Sequence, residues 1–124
     1  IYTTGNTLSL HDALPIFYNL RGYSHLTMDE LEKAREDFER AIELDDLPGA
    51  HRNMVYYKLM SGHGQEAIGY LLDRIRNNPQ DVENWILMGD LMKKGGHEAK
   101  AKTYYEQALK MDPGNTYVKQ QLEE

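Results

Sequence analysis

Apolar residues recur at three- and four-residue spacing through most of the chain. Leu31, Ala34, Phe38, Ala41 and Ile42 form one such set, and Ala67, Ile68, Leu71, Leu72 and Ile75 another. That period puts each set on one side of a helix as a wide apolar stripe, which has to be buried against a neighbour. A shorter stretch, Asn115 to Glu124, carries Tyr117, Val118 and Leu122 on a single side and reads as one further helix. Its polar outer face is then Lys119, Gln120, Gln121, Glu123 and Glu124, suited to seal the end of a helical array. Gly62 and Gly95-Gly96 give the backbone freedom for tight turns, and Pro79 and Pro113 stop helices because the residue before a proline leaves the α region. Asp46, Asp81 and Asn115 are expected to cap the helices that follow them.

The stripes belong to a longer repeat. Laying Val82 to Asn115 under Pro48 to Asp81 pairs His63 with His97, Ala67 with Ala101, and Pro79 with Pro113, a period of 34 residues. Upstream, Ala34 precedes Ala67 by 33 residues, so the first unit is one residue shorter, in the connection Asp46-Leu47-Pro48. Periods of about 20 to 50 residues mark arrays of stacked supersecondary units. Within a unit the small residues Gly89, Ala101 and Ala108 are expected where two helices cross closely, with Trp85 and Tyr105 filling space toward the neighbouring pair.

The third unit resembles the tetratricopeptide repeat. That pattern, W-x2-L-G-x2-Y followed by A-x3-F-x2-A and P, meets Trp85, Met88, Gly89, Met92, Ala101, Tyr105, Ala108 and Pro113 at matching spacings. The first unit matches with Tyr18, Gly22, Ala34, Phe38 and Ala41. The second has Met54, Ala67, Leu71 and Pro79, but His51, Val55 and Arg74 stand where an aromatic, a glycine and an alanine are expected. The resemblance implies an all-α fold, an α-solenoid of three helix-turn-helix repeats at 17–47, 48–81 and 82–115 with a capping helix at 116–124.

Residues 1–16 are set apart from that array. Thr7 to Ile16 coincide with the translation of a common short-read sequencing adapter, so the segment reads as non-native and the protein's own sequence as entering near Phe17. Read instead as a natural arm, it would lay Leu8, Leu10 and Leu14 over the first repeat. On this reading upstream sequence is missing, and the compartment and the full number of repeats stay open.

Composition narrows the partners. With 14 Lys+Arg against 20 Asp+Glu the net charge is −6, which repels phosphate backbones and argues against nucleic acid. No apolar run approaches the roughly 20 residues of a membrane span. Without cysteine there is neither a disulfide scaffold nor a thiolate zinc site, although that fits the cytosol and an oxidising compartment equally. His63 and His97 fall in equivalent turns one repeat apart, too far for shared metal coordination, and read as exposed turn residues. The charged run Asp29 to Arg40 interleaves both signs at helical spacing, including a favourable Glu36–Arg40 pair, and reads as a solvated face. No phosphate loop or nucleophile elbow occurs, so neither catalysis nor a cofactor or metal is expected.

The resemblance places function in a concave groove lined by the first helix of each pair. Carried over, the inward positions are Asn19, Tyr23 and Leu26 in the first unit, Arg52, Tyr56 and Leu59 in the second, and Ile86, Asp90 and Lys93 in the third. Tyrosines at Tyr23 and Tyr56 suit binding anchors, because aromatic side chains give much contact area at small entropic cost. The family's chaperone-binding carboxylate clamp needs cations and asparagines on three successive first helices. Asn19 and Asn53 could contribute, but Glu83 and Asp90 stand where cations are wanted, which argues against that ligand. The expected role is therefore a scaffold or adaptor that binds a peptide or helix of a partner protein. The alternative is a structural spacer within a longer polypeptide whose activity lies upstream.

Overall fold

A computed structural model describes residues 9–124; residues 1–8 of the segment expected to be non-native, Leu8 among them, lie outside the described residues. Among the described residues there are seven helices and no strand: α1 (Leu10–Thr27), α2 (Leu31–Asp45), α3 (Pro48–Met60), α4 (Gly64–Asn77), α5 (Val82–Lys94), α6 (Glu98–Met111) and α7 (Thr116–Glu123). None of them is long and apolar enough to cross a membrane. The chain divides into two compact units, Ile1–Ala67 and Ile68–Glu124. In the first, α1 packs on α2 and α2 on α3; in the second, α5 packs on α6 and α6 on α7. Among the described residues the architecture is all-α, built of antiparallel helix pairs joined by tight turns.

The two pairs α1–α2 and α5–α6 are built on the same contact. A Cβ placed on Gly22 would lie 2.6 Å from Cε1 of Phe38, and one on Gly89 would lie 2.6 Å from Cε1 of Tyr105. In each pair an aromatic ring from the second helix therefore lies directly on the backbone of the first. Ala34, Phe38 and Ala41 are fully buried in the first unit, and Tyr105 and Ala108 in the second, so the small residues beside each ring let the helices close around it. This corrects the expectation that Tyr105 and Trp85 reach toward a neighbouring pair. Tyr105 fills the space above Gly89 within its own pair. Trp85 lies against Tyr104, ring centroids 6.0 Å apart, and its indole N–H donates to the Pro79 carbonyl at 2.9 Å.

Three turns repeat one hydrogen-bond pattern. The N–H groups of Glu30, His63 and His97 donate to the carbonyls of His25, Lys58 and Met92 at 2.8, 2.7 and 2.8 Å. Those of Asp29, Gly62 and Gly96 donate to Leu26, Leu59 and Lys93 at 3.1, 3.2 and 3.0 Å. This is the Schellman arrangement, which satisfies a helix's last carbonyls and needs a left-handed residue just past its end. Gly62 and Gly96 supply it with φ of 83° each, while the first turn uses Asp29 at φ 61°. Glycine marked two of the turns in sequence, and the aspartate hid the third.

Capping departs from expectation at two of three places. Asn115 accepts from the Val118 N–H at 3.0 Å, as a cap should. Asp46 instead ends α2 with φ 25°, and α3 starts on Leu47 with Pro48 in its first turn, where proline's fixed φ suits a helix start. Asp81 holds the cap position of α5 without a side-chain cap bond, and its main-chain carbonyl takes the Asn84 N–H at 3.1 Å. At the other end α1 runs back to Leu10 and is capped by Ser9, whose Oγ accepts from Asp12 N at 3.2 Å. Residues 10–16 are thus helical and continuous with the first repeat; Leu10 is exposed, Leu14 half-buried and Pro15 buried.

Two stability measurements test this frame. Gly89→Ala should lower the urea midpoint by an amount equivalent to about 1–3 kcal/mol, the usual cost of overpacking, because the Tyr105 ring is enclosed and cannot swing away. Asp29→Gly should raise stability by up to about 1 kcal/mol, since it removes a left-handed penalty of roughly 1–2 kcal/mol while adding unfolded-state entropy.

Candidate functional site

The nine inward positions fall on α1, α3 and α5, and the structure treats them unequally. In the first unit Asn19 and Asn53, 34 residues apart, are joined across α1 and α3: the Asn53 Nδ2 donates to Asn19 Oδ1 at 2.9 Å. Tyr23 and Tyr56 are 51% and 40% exposed, large apolar rings left open to solvent on those same two helices. Arg52 and Leu59 are half-buried. Leu26 is only 3% exposed and serves the interior of its unit, as does Ile86 at 8%, so neither offers side-chain surface of the kind expected of a contact residue.

On α5 the remaining two positions are occupied. Asp90 Oδ1 accepts from the hydroxyls of both Tyr105, at 2.5 Å, and Tyr117, at 2.8 Å. Lys93 Nζ donates to Gln121 Oε1 and to Glu124 Oε2, each at 2.7 Å. Tyr117, Gln121 and Glu124 stand at i, i+4 and i+7 around α7, one face of a helix. Gln121 and Glu124 therefore turn inward to α5 and do not belong to the outer face assigned to them in sequence. The long, flexible Lys93 stem lets the ammonium reach two acceptors at once. Burial first, then the hydrogen bond to Asp90, pushes the Tyr117 hydroxyl up to about 12, and the same causes push Tyr105 higher still.

A second polar cluster was missed by pattern reading. Asp37 is buried, and Arg21 grips it bidentately, Nε to Oδ2 at 2.8 Å and Nη2 to Oδ1 at 2.7 Å. The same guanidinium lies over the rings of Phe17 and Tyr18, at 5.2 and 5.3 Å from their centroids, within cation–π range. His25 sits between carboxylates, with Nδ1 2.9 Å from Glu30 Oε1 and Nε2 3.7 Å from Asp37 Oδ2. Glu30 is held below the usual carboxylate range by its bond to His25 and then by Lys33, and Arg21 is held more basic by Asp37. The run Asp29 to Arg40 is thus not wholly a solvated face. Its surface pairs also differ from expectation, since Arg40 meets Glu43 at 3.3 Å in place of Glu36, and Arg35 bridges Glu32 and Glu39. The signal was present: Asp37 shares the i, i+3, i+4, i+7 stripe of Ala34, Phe38 and Ala41.

These clusters hold and position side chains. Among the described residues no group of three or more His, Asp or Glu could hold a metal ion. His63 is exposed beside Ser61, its Nδ1 2.9 Å from the hydroxyl, and His97 precedes α6.

Comparison with known proteins bears on the reading. The sequence profile of the tetratricopeptide repeat matches residues 15–47 and 82–115, more than half of the chain. The DnaJ homolog subfamily C member 7 homolog of Schizosaccharomyces pombe is 45% identical over 47 residues, 38% of this chain and 10% of that protein. The chain spans about a tenth of the length of that curated relative. Among solved structures, the first tetratricopeptide domain of Spaghetti (RPAP3), bound to the HSP90 peptide SRMEEVD, superposes with a TM-score of 0.69. It is 14% identical, with 93% of this chain and 94% of that one covered. The crystal structure of MamA gives a TM-score of 0.66 at 20% identity, covering 87% of this chain and 64% of that one. At these identities the structural likeness is one of fold.

The Asp90 pair has a pH signature. A hydroxyl whose pKa is raised above its unfolded value stabilises the folded form fully below pH 10, and that contribution is lost as pH rises through about 12. Carbon NMR of labelled tyrosine should show Tyr117 ionising near pH 12, and Asp90→Asn should bring it back toward its ordinary 10. An unchanged Tyr117 titration in the variant would remove Asp90 as a cause.

Proposed function

The chain belongs to the tetratricopeptide repeat family, a family of protein-interaction modules, and from that premise we propose that it binds a peptide or helix of a partner protein through the inner faces of its first helices. The observation that carries this reading is the pair Tyr23 and Tyr56. Both are large, both are exposed, and they stand at equivalent positions of successive repeats beside the Asn19–Asn53 couple. Aromatic side chains in such positions supply contact area at low entropic cost and dominate binding where they become desolvated. The single bond between the asparagines uses one N–H of Asn53 and one lone pair of Asn19, so the couple keeps both amide donors and acceptors for the main chain of an extended peptide.

The reading assigns the chain no catalysis. It also sets aside a C-terminal carboxylate as the ligand. A carboxylate would meet Asp90 at the third first helix, where the acidic side chain is already fixed by two hydroxyls. Like charges brought together there oppose binding.

The test uses the full chain as bait beside the Tyr23→Ala, Arg52→Ala, Tyr56→Ala triple variant, matched for helicity by circular dichroism. A partner retained by the parent should be lost by the variant, with affinity weakened roughly 30-fold or more, as expected when aromatic anchors are truncated. Labelled SRMEEVD peptide should not bind at micromolar concentrations. Identical retention by parent and variant would favour a spacer within a longer polypeptide.

A further inference from the structure

We propose that α7 is a displaceable latch: it occupies a helix-docking surface made by Asp90, Lys93 and Tyr105, and yields it to a partner's amphipathic helix bearing a tyrosine and, seven residues on, a carboxylate. The inference rests on the reading that first-helix inner faces bind polypeptides, but it concerns α5, α6 and α7 alone.

The occupant is specified by what already sits there. Tyr117 gives its hydroxyl to Asp90, while Gln121 and Glu124 accept from Lys93. Between them Val118 is fully buried and Leu122 half-buried, so one face of α7 combines an apolar ridge with three polar contacts. A foreign helix with the same i, i+1, i+4, i+5, i+7 pattern satisfies every one of those groups. The surface is selective as well. Asp90 accepts a hydroxyl hydrogen and opposes a second acid, while Lys93 opposes a basic residue, so the order tyrosine then carboxylate sets the direction of the bound helix.

Three features make the latch releasable. Val118 is its one fully buried side chain, and Tyr117 remains 45% exposed. A solvent-open pocket of about 170 Å³ lies beside it, lined by Lys93, Ala101, Tyr105, Gln121, Leu122 and Glu124. Pro113 and Gly114 in the preceding connection are exposed, and nothing lies within 4 Å of a Cβ placed on Gly114. Few buried contacts and an exposed tether are the marks of a segment that opens far more readily than the core. The same tether keeps α7 at high local concentration, so a partner must out-compete it.

The probe is a fluorescein-labelled synthetic peptide of residues 113–124, added to the full chain and to a full-length Tyr117→Ala, Val118→Ser variant. The variant should bind it at least tenfold more tightly than the parent, because its own α7 no longer competes. Adding Lys93→Glu should abolish that binding, and a Glu124→Lys peptide should restore it. Equal binding to parent and variant, or none to either, would overturn the latch. Hydrogen exchange on the unmodified chain gives an independent reading: α7 amides should exchange at least tenfold faster than those of α5 and α6, and equal protection would equally sink the proposal. Neither measurement touches Tyr23, Arg52 or Tyr56, so failure here is distinct from failure of the partner-binding reading.

Discussion

Gly22 and Gly89 let an aromatic ring from the second helix of a pair rest on the backbone of the first, and the geometry of both pairs follows from that approach. With a side chain at either glycine the helices would have to separate, and the alanines that close around the ring would lose their contacts. The approach also aims the candidate site positions. The residue after each glycine is turned about 100° around the helix, and those residues are Tyr23, left exposed, and Asp90, which takes the Tyr105 hydroxyl. Core and candidate site are therefore set by adjacent positions on the same helix.

The turns add a second constraint. In each of three places a left-handed residue reverses the chain and two N–H groups return to the carbonyls of the helix just ended. Asp29 fills that role in the first turn despite its side chain, and the neighbouring Glu30 is bonded to His25. From there the polar contacts run through His25 to Asp37 and Arg21, linking the end of α1 to the middle of α2. The first pair thus carries a buried charged contact that the third lacks at the equivalent place, where Tyr104 stands beside Tyr105 as Asp37 stands beside Phe38. A buried carboxylate gripped by arginine costs desolvation and gives fixed geometry in return, which suits a helix whose next residues present the exposed Tyr23.

The fold was legible because its determinants are local and repeated. Glycine, alanine and aromatic residues at fixed offsets specify a helix crossing wherever they occur, and two or three copies confirm the period. What escaped was every feature that depends on which neighbour a side chain meets. Tyr105 is as consistent in sequence with a neighbouring pair as with its own, and only the close approach at Gly89 decides between them. Gln121 and Glu124 are polar, and polarity alone assigns them outward; Lys93 on a helix about 30 residues earlier turns them in. Asp46 resembles a cap because it is an aspartate before a proline-led helix, yet its carboxylate meets His51. Leu26 and Ile86 occupy inward register positions, but apolar side chains there sink into the interior while the tyrosines stay out.

Departures from the repeat are where recognition differs between units. At the position after the crossing residue the first two units have Tyr23 and Tyr56, and the third has Asp90. A carboxylate there is a poor apolar anchor and a strong acceptor, and it draws the hydroxyl of Tyr117 to itself from α7. The first two repeats thus carry a tyrosine on the first helix, while in the third the aspartate there is met by a tyrosine hydroxyl from α7. A ring that belongs to a helix is fixed for as long as the pair is folded. Tyr117 is held by its hydrogen bond to Asp90, the burial of its neighbour Val118 and the bonds of Gln121 and Glu124 to Lys93, and under the latch proposal it is exchanged for another ring of the same kind. Under the latch proposal, an aspartate where the other repeats have tyrosine makes the aromatic group at this register a replaceable one, without altering the glycine, alanine and aromatic positions that hold the helices together.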